Sequence, residues 1–104
     1  MGKPIRTTPQ ADLQILEIDA WWRENREKAP DLFAQELELA LRTIGSAPTA
    51  GKLYPHPDAE VRRIVMRATR HHVYYIERGD HLLVVAVWGA VKGSGPDLSG
   101  LDEG

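Results

Sequence analysis

The stretch from Val61 to Trp88, VRRIVMRATRHHVYYIERGDHLLVVAVW, limits the fold more than any other part of the chain. Three runs within it, Val61 to Met66, Val73 to Glu77 and Leu82 to Trp88, are rich in Val, Ile, Tyr and Trp, which suit a pleated, half-buried surface. Arg78-Gly79-Asp80 parts the last two runs with turn chemistry, since Gly tolerates positive φ and Asp bonds its own backbone. The stretch therefore predicts an antiparallel meander of three strands. Arg62, Arg63, Arg67, Arg70, His71 and His72 lie along its first half, and no acid occurs between Val61 and Ile76. An acid-free basic surface on a rigid sheet is where a small protein meets phosphate or an acidic partner.

Upstream the pattern changes period. Ile5 to Thr8 reads as a short opening strand. Thr8 followed by Pro9 reads as a helix start: a hydroxyl cap, then a proline where its missing N–H costs nothing. Ala11, Ile15, Ile18 and Trp22 then recur at helical spacing as one apolar stripe of a helix running to about Arg26, with Asp12, Glu17, Asp19, Arg23 and Glu24 on its other faces. Pro30 restarts the pattern, and Phe33, Leu37, Ala40, Leu41 and Ile44 form a second stripe. Gly45 is expected to end that helix in the left-handed conformation, with Pro48 shortly beyond. The short link around Lys28 and Ala29 makes the two helices an antiparallel hairpin. Neither helix buries its stripe alone, so one face of the meander is the natural cover, which gives an α+β layer architecture. Ala50 to Glu60, with Gly51, Pro55, Pro57 and Asp58, reads as a surface loop.

At 104 residues the chain is long enough for one core but not two. A single domain over 1–98 is expected, with 99–104 as a flexible tail. Cysteine is absent, which excludes a disulfide framework or thiolate metal site and fits a reducing cytoplasm. No apolar stretch approaches the ~20 residues that span a bilayer, so a soluble, unexported protein is expected. Residues 1–60 carry 7 basic and 10 acidic groups (net −3), and 61–104 carry 6 and 5 (net +1). That local basic patch is weaker than the clearly basic domain of a dedicated nucleic-acid binder.

Few motifs carry chemistry unaided. Neighbours on a strand face opposite ways, so His71 and His72 cannot chelate one ion side by side, and no metal site is expected. Arg63 and Arg67 share parity if their strand extends that far. They grip phosphates or carboxylates as guanidinium forks do, or they form a solvated outer face paired to the acidic helices. Tyr54, Tyr74 and Tyr75 offer rings for stacking or phenolic protons, but Tyr74 and Tyr75 face opposite sides, so at least one belongs to the core. Trp21 lies beside the inward stripe, and an exposed indole on a helix marks a partner surface. Ser94 in Lys92-Gly93-Ser94-Gly95-Pro96 lacks the strand–loop–helix context and spacing of a phosphate loop.

The order of strand, helical hairpin, Pro/Gly loop, basic strand and Tyr-Tyr hairpin ending in Val-Trp resembles the RelE/ParE superfamily of toxins from type II toxin–antitoxin modules. The residues that carry the resemblance are Trp21-Trp22-Arg23, Pro48, Gly51, Val61-Arg62-Arg63, His72-Val73-Tyr74-Tyr75 and Val87-Trp88-Gly89-Ala90, followed by Lys92-Gly93 and Gly95-Pro96. They span roughly residues 4 to 98.

The resemblance implies a short strand and helical hairpin packed on an antiparallel sheet, in the order β-α-α-β-β-β. It implies a cytoplasmic, growth-inhibiting toxin neutralised by a cognate antitoxin, with no cofactor, membrane partner or sequence-specific DNA binding. RelE-like members resemble endoribonucleases that cleave mRNA in the ribosomal A site, and ParE-like members resemble non-hydrolytic inhibitors that trap DNA gyrase. For the first class the resemblance implies catalytic roles for Arg63 and Arg67, and for His72 and Lys92, which stand where that class carries arginine. The chain departs from that class at Gly89, where related nucleases often carry His, and no Tyr or His follows Lys92. The depleted set favours the gyrase-inhibiting reading, with ribosome-dependent mRNA cleavage as the alternative. Trp21, Arg62, Arg63 and Tyr74 are the expected partner-binding residues.

Overall fold

The computed structural model describes residues 2–90, 93–99 and 101. Their element order is β1 (Ile5–Thr7), α1 (Pro9–Asn25), α2 (Leu32–Ser46), β2 (Lys52–Tyr54), β3 (Val61–Met66), β4 (His71–Glu77) and β5 (Leu82–Gly89). The strands form a five-stranded sheet in the order β1-β5-β4-β3-β2. Both helices lie against one face of it, so the α+β class holds. No helix among the described residues is long and apolar enough to cross a membrane.

The helices form where the periodicity places them. Thr8 caps α1, its Oγ1 accepting the Ala11 N–H at 3.1 Å, with Pro9 at the first helical position. Ala11 is buried, and Ile15, Ile18 and Trp22 pack on the helix-side core. From α2, Phe33, Leu37, Ala40 and Ile44 are buried in the same cluster, beside Met66, Val73, Tyr75, Leu82, Val84 and Val87 from the sheet.

Three details differ from the sequence expectations. The sheet is mixed, because β1 runs parallel to β5 with Ile5 opposite Leu82 and Thr7 opposite Val84. The expected loop at 50–60 contains β2, which pairs antiparallel with β3, Lys52 opposite Arg63 and Tyr54 opposite Val61. Gly45 does not end its helix. α2 continues to Ser46, and the Ala47 N–H caps it on the Thr43 carbonyl at 2.8 Å. Gly45 serves a close approach instead. Its carbonyl accepts the Lys3 N–H at 3.1 Å, and a Cβ at Gly2 would stand 2.7 Å from that oxygen.

The far face of the sheet is covered as well. Val61, Tyr74, Ile76, Leu83, Val85, Ala86 and Leu98 form a second cluster, with Tyr54, Ala59, Trp88 and Leu101 packed against it. The C-terminal segment lies over this face, tied by the Trp88 Nε1–H to the Ser94 carbonyl (2.8 Å) and by His56 Nε2 to the Leu98 carbonyl (3.0 Å). Burial on both faces explains why β5 reads as an unbroken apolar run rather than an alternation. A register shift adds to this: Tyr74 faces Ala86 while Tyr75 faces Val84, so Val85 is a bulged residue. Val85 and Ala86 both join the far cluster, and Val84 and Val87 join the helix-side one. Gln14 of α1 holds the strand beyond the bulge, its Oε1 accepting the Val87 N–H at 2.8 Å.

Candidate functional site

Strand alternation divides the basic residues that cluster in the sequence. Arg63 stands on the far face, in a cross-strand row with Lys52 of β2 and Tyr74 of β4. Its guanidinium lies 5.2 Å from the Tyr54 ring and 6.0 Å from the Tyr74 ring, and Nη1 donates to the Tyr74 hydroxyl at 3.3 Å. Stacking on tyrosine holds a cation in place while leaving its outer edge able to take an anion. Tyr74 itself is 2% exposed, with Tyr54 edge-on at 5.0 Å. One row along, His72 lies between Val65 and Trp88, its ring 6.0 Å from Tyr74. Partial burial, then the positive charges of Arg63 and His71, hold the His72 pKa below its ordinary value. The imidazole is neutral at neutral pH.

Arg62 points the other way. On the helix side its Nη1 donates to the Gly51 carbonyl at 2.8 Å, and Nη2 lies 3.5 Å from Glu60. Tyr75 completes this tie: its hydroxyl accepts the Gly51 N–H at 2.9 Å and donates to the Pro48 carbonyl at 2.7 Å. A Cβ at Gly51 would meet that hydroxyl at 2.6 Å, so only glycine fits. Arg62 and Tyr75 thus brace the entry to β2.

β3 ends at Met66, so Arg67 lies in the turn before β4 rather than in register with Arg63. Lys92 lies outside the described residues. The structure therefore brings together Arg63, Tyr74 and His72 on one face, and places Arg62 on the other and Arg67 in the turn.

The same β3–β4 turn walls a groove on the helix side. Glu36 of α2 reaches across and accepts the Ala68 N–H at 2.8 Å, the Thr69 N–H at 3.0 Å and the Thr69 hydroxyl at 2.6 Å. Burial alone would raise its pKa. The three donors outweigh that effect and hold it below the ordinary carboxylate value. Arg70 follows in the left-handed region at φ 60°, its carbonyl accepting the Ala90 N–H at 2.8 Å. The groove, about 720 Å³, runs between this turn, the end of β5 at Gly89 and the last turns of α1, where it is lined by Ile18, Trp21, Trp22 and Arg26. Trp21 is 46% exposed and meets Trp22 edge-on at 5.8 Å, with the Arg26 guanidinium 5.1 Å from one ring and 5.7 Å from the other. The sequence singled out Trp21 but passed over Arg26 and Glu36. The one local signal for Arg26 is its spacing of four from Trp22, which puts it over the indoles.

The model of the family described as ParE toxin of type II toxin–antitoxin system, parDE, matches residues 5–91. No curated protein matches the chain by sequence. Among solved structures, a chain of a chromosomal ParDE TA system from P. aeruginosa superposes with a TM-score of 0.68 at 13% identity, covering 84% of this chain and 95% of that one. At that identity the likeness concerns the fold.

Proposed function

The chain belongs to the ParE toxin family of type II toxin–antitoxin systems, and from that membership we propose that it arrests growth by binding and inhibiting DNA gyrase, with a cognate antitoxin as its neutralising partner. The observation that favours the binding reading over RNA cleavage is the setting of Arg67 in the β3–β4 turn, out of strand register with Arg63 and His72. Cleavage needs a proton acceptor and cationic stabilisers converging on one phosphate within hydrogen-bond reach. The charges that reach His72 are cationic, from Arg63 on the far face and from His71 on the helix side. Arg67 follows the end of β3 and lies in the turn, out of register with Arg63. What remains, Arg63 with its tyrosines beside Lys52, suits an acidic surface on a large partner better than bond breaking.

The test uses purified protein and induced expression. Supercoiling by gyrase is expected to fall in the presence of the protein, and mRNA on translating ribosomes to stay intact. Growth arrest is expected to survive His72→Ala, and Arg63→Glu to relieve it. Ribosome-dependent mRNA cleavage that His72→Ala abolishes would overturn the gyrase reading in favour of the nuclease.

A further inference from the structure

We infer that the groove between the end of α1, the β3–β4 turn and the end of β5 is a docking slot for the antitoxin, and that it takes a segment in which carboxylates alternate with aliphatic side chains. The inference rests on the toxin reading above and adds where, and by what chemistry, the partner is held.

The lining points to a macromolecular ligand. At about 720 Å³ the groove falls in the range of real binding pockets, whereas the neighbouring hollow at Gln14 and Trp88, about 90 Å³, holds only a few waters. Its lining includes Ile18 and Trp22 together with Trp21, an indole left nearly half exposed. Exposed tryptophan beside an apolar floor is the kind of side chain that dominates interface energy.

Charge selects the occupant. Four cations elsewhere are matched by carboxylates: Arg23 pairs with Asp19 and Asp31 at 2.9 Å each, Arg42 with Glu38 at 2.6 Å, Lys3 with Glu77 at 2.7 Å and Arg62 with Glu60 at 3.5 Å. Arg26 and Arg70 have no carboxylate partner among the described residues, and both line the groove. Two such guanidinium groups on an apolar slot favour interspersed carboxylates. Glu17 also lines the groove and Asp12, Asp19 and Glu24 share α1 with it, so a segment with a few spaced carboxylates that can sit at the cations fits better than the continuous charge of a nucleic-acid backbone.

The backbone gives a further reason. A non-glycine residue in the left-handed region is strained, because its Cβ crowds the following carbonyl oxygen. Arg70 occupies that position where glycine would fit without strain, and it is one of the residues lining the slot. Strain held at a rigid turn is a mark of a functional position. The slot also lies on the opposite side of the sheet from Arg63 and His72, so its occupant need not compete directly for that face.

Two short synthetic peptides, one alternating Glu with Leu and one alternating Lys with Leu, serve as probes, read by tryptophan fluorescence of the intact chain. The Glu/Leu peptide is expected to shift the emission and bind roughly tenfold or more tightly than its basic counterpart, an advantage that shrinks with salt. The double variant Arg26→Glu/Arg70→Glu should reverse the preference, and Trp21→Ala should weaken binding roughly tenfold, each with a native thermal transition. The double variant should still arrest growth when induced alone. No preference between the peptides, unchanged binding in correctly folded variants, or loss of growth arrest in the double variant would each overturn the assignment, the last because the slot would then serve the target. An unmodified chain that fails to arrest growth defeats the toxin reading whatever the peptides do. One that arrests growth yet ignores the peptides defeats the slot alone.

Discussion

His72 shows how a side chain's chemistry is set by what faces it across a sheet. Its cross-strand neighbours are Val65 and Trp88, with the Tyr74 ring beside it, and the nearby charges are those of Arg63 and His71. Nothing there rewards a proton, and its pKa is depressed. The unfolded chain therefore binds that proton more readily than the folded one. Stability from His72 is fully present above the ordinary histidine value of about 6.5 and is lost as pH falls below it, through the folded-state pKa. Urea unfolding from about pH 7 down to about pH 5 should show the parent losing stability faster than His72→Asn. Parallel curves for the two proteins would mean that the histidine is protonated equally well in both states. Tyr75 faces the opposite problem, being buried with both hydroxyl functions used, and burial pushes its pKa up.

Between neighbouring elements, specific polar ties set where each one ends. α2 reaches the β3–β4 turn through Glu36, whose carboxylate gathers three donors from Ala68 and Thr69. Bonds to a charged acceptor contribute about 1.5–3 kcal/mol each at most, and solvent nearby brings the sum well below that ceiling. Glu36→Ala is expected to cost about 2 kcal/mol in urea unfolding at neutral pH, and amide exchange at Ala68 and Thr69 should speed up. Unchanged exchange there would show that the turn is held by its own backbone. Because the Glu36 pKa is depressed, its contribution is present above the ordinary carboxylate value of about 4.3 and is lost as pH falls through the lower, folded-state value. α1 behaves likewise toward β5, with Thr8 and Gln10 directed at the Val85 carbonyl of the bulge and Gln14 at the Val87 N–H.

The assembled chain is a three-layer object rather than two layers with a bare sheet. Helices cover one face, and the β2–β3 loop with the C-terminal segment covers the other. Leu98, 8% exposed, is the side chain by which that segment enters the far cluster. Arg78 adds a tie from the β4–β5 turn, donating to the Leu101 carbonyl at 2.5 Å. Leu98→Ala removes apolar contacts at the rim of the cluster, so a loss near the low end for buried leucine, about 2 kcal/mol, is expected. Chemical unfolding should show the shifted midpoint with an unchanged denaturant slope. A loss under about 0.5 kcal/mol would mean that the segment rests on the sheet without supporting it.

Much of this architecture was legible from local pattern, because stripes, caps and turns depend on residues a few positions apart. Ala11 to Trp22, Phe33 to Ile44, the Thr8-Pro9 cap and the Arg78-Gly79-Asp80 turn all required only their neighbours. β2 and the parallel seat of β1 are three residues each, too short to show a period, and they exist as strands only because β3 and β5 supply partners. The bulge at Val85 hid in the apolar run for a related reason: a run buried on both faces carries no alternation to break. The basic cluster divided on packing. Parity already separates Arg62 from Arg63, whereas Arg67 left their strand because β3 stops at Met66 and Glu36, from a distant helix, clamps the turn beyond it. The groove lined by Arg26 and Arg70 joins a helix end, a turn and a strand end. Long-range packing alone brings those three together, because each lacks the periodic signal that would mark it in isolation.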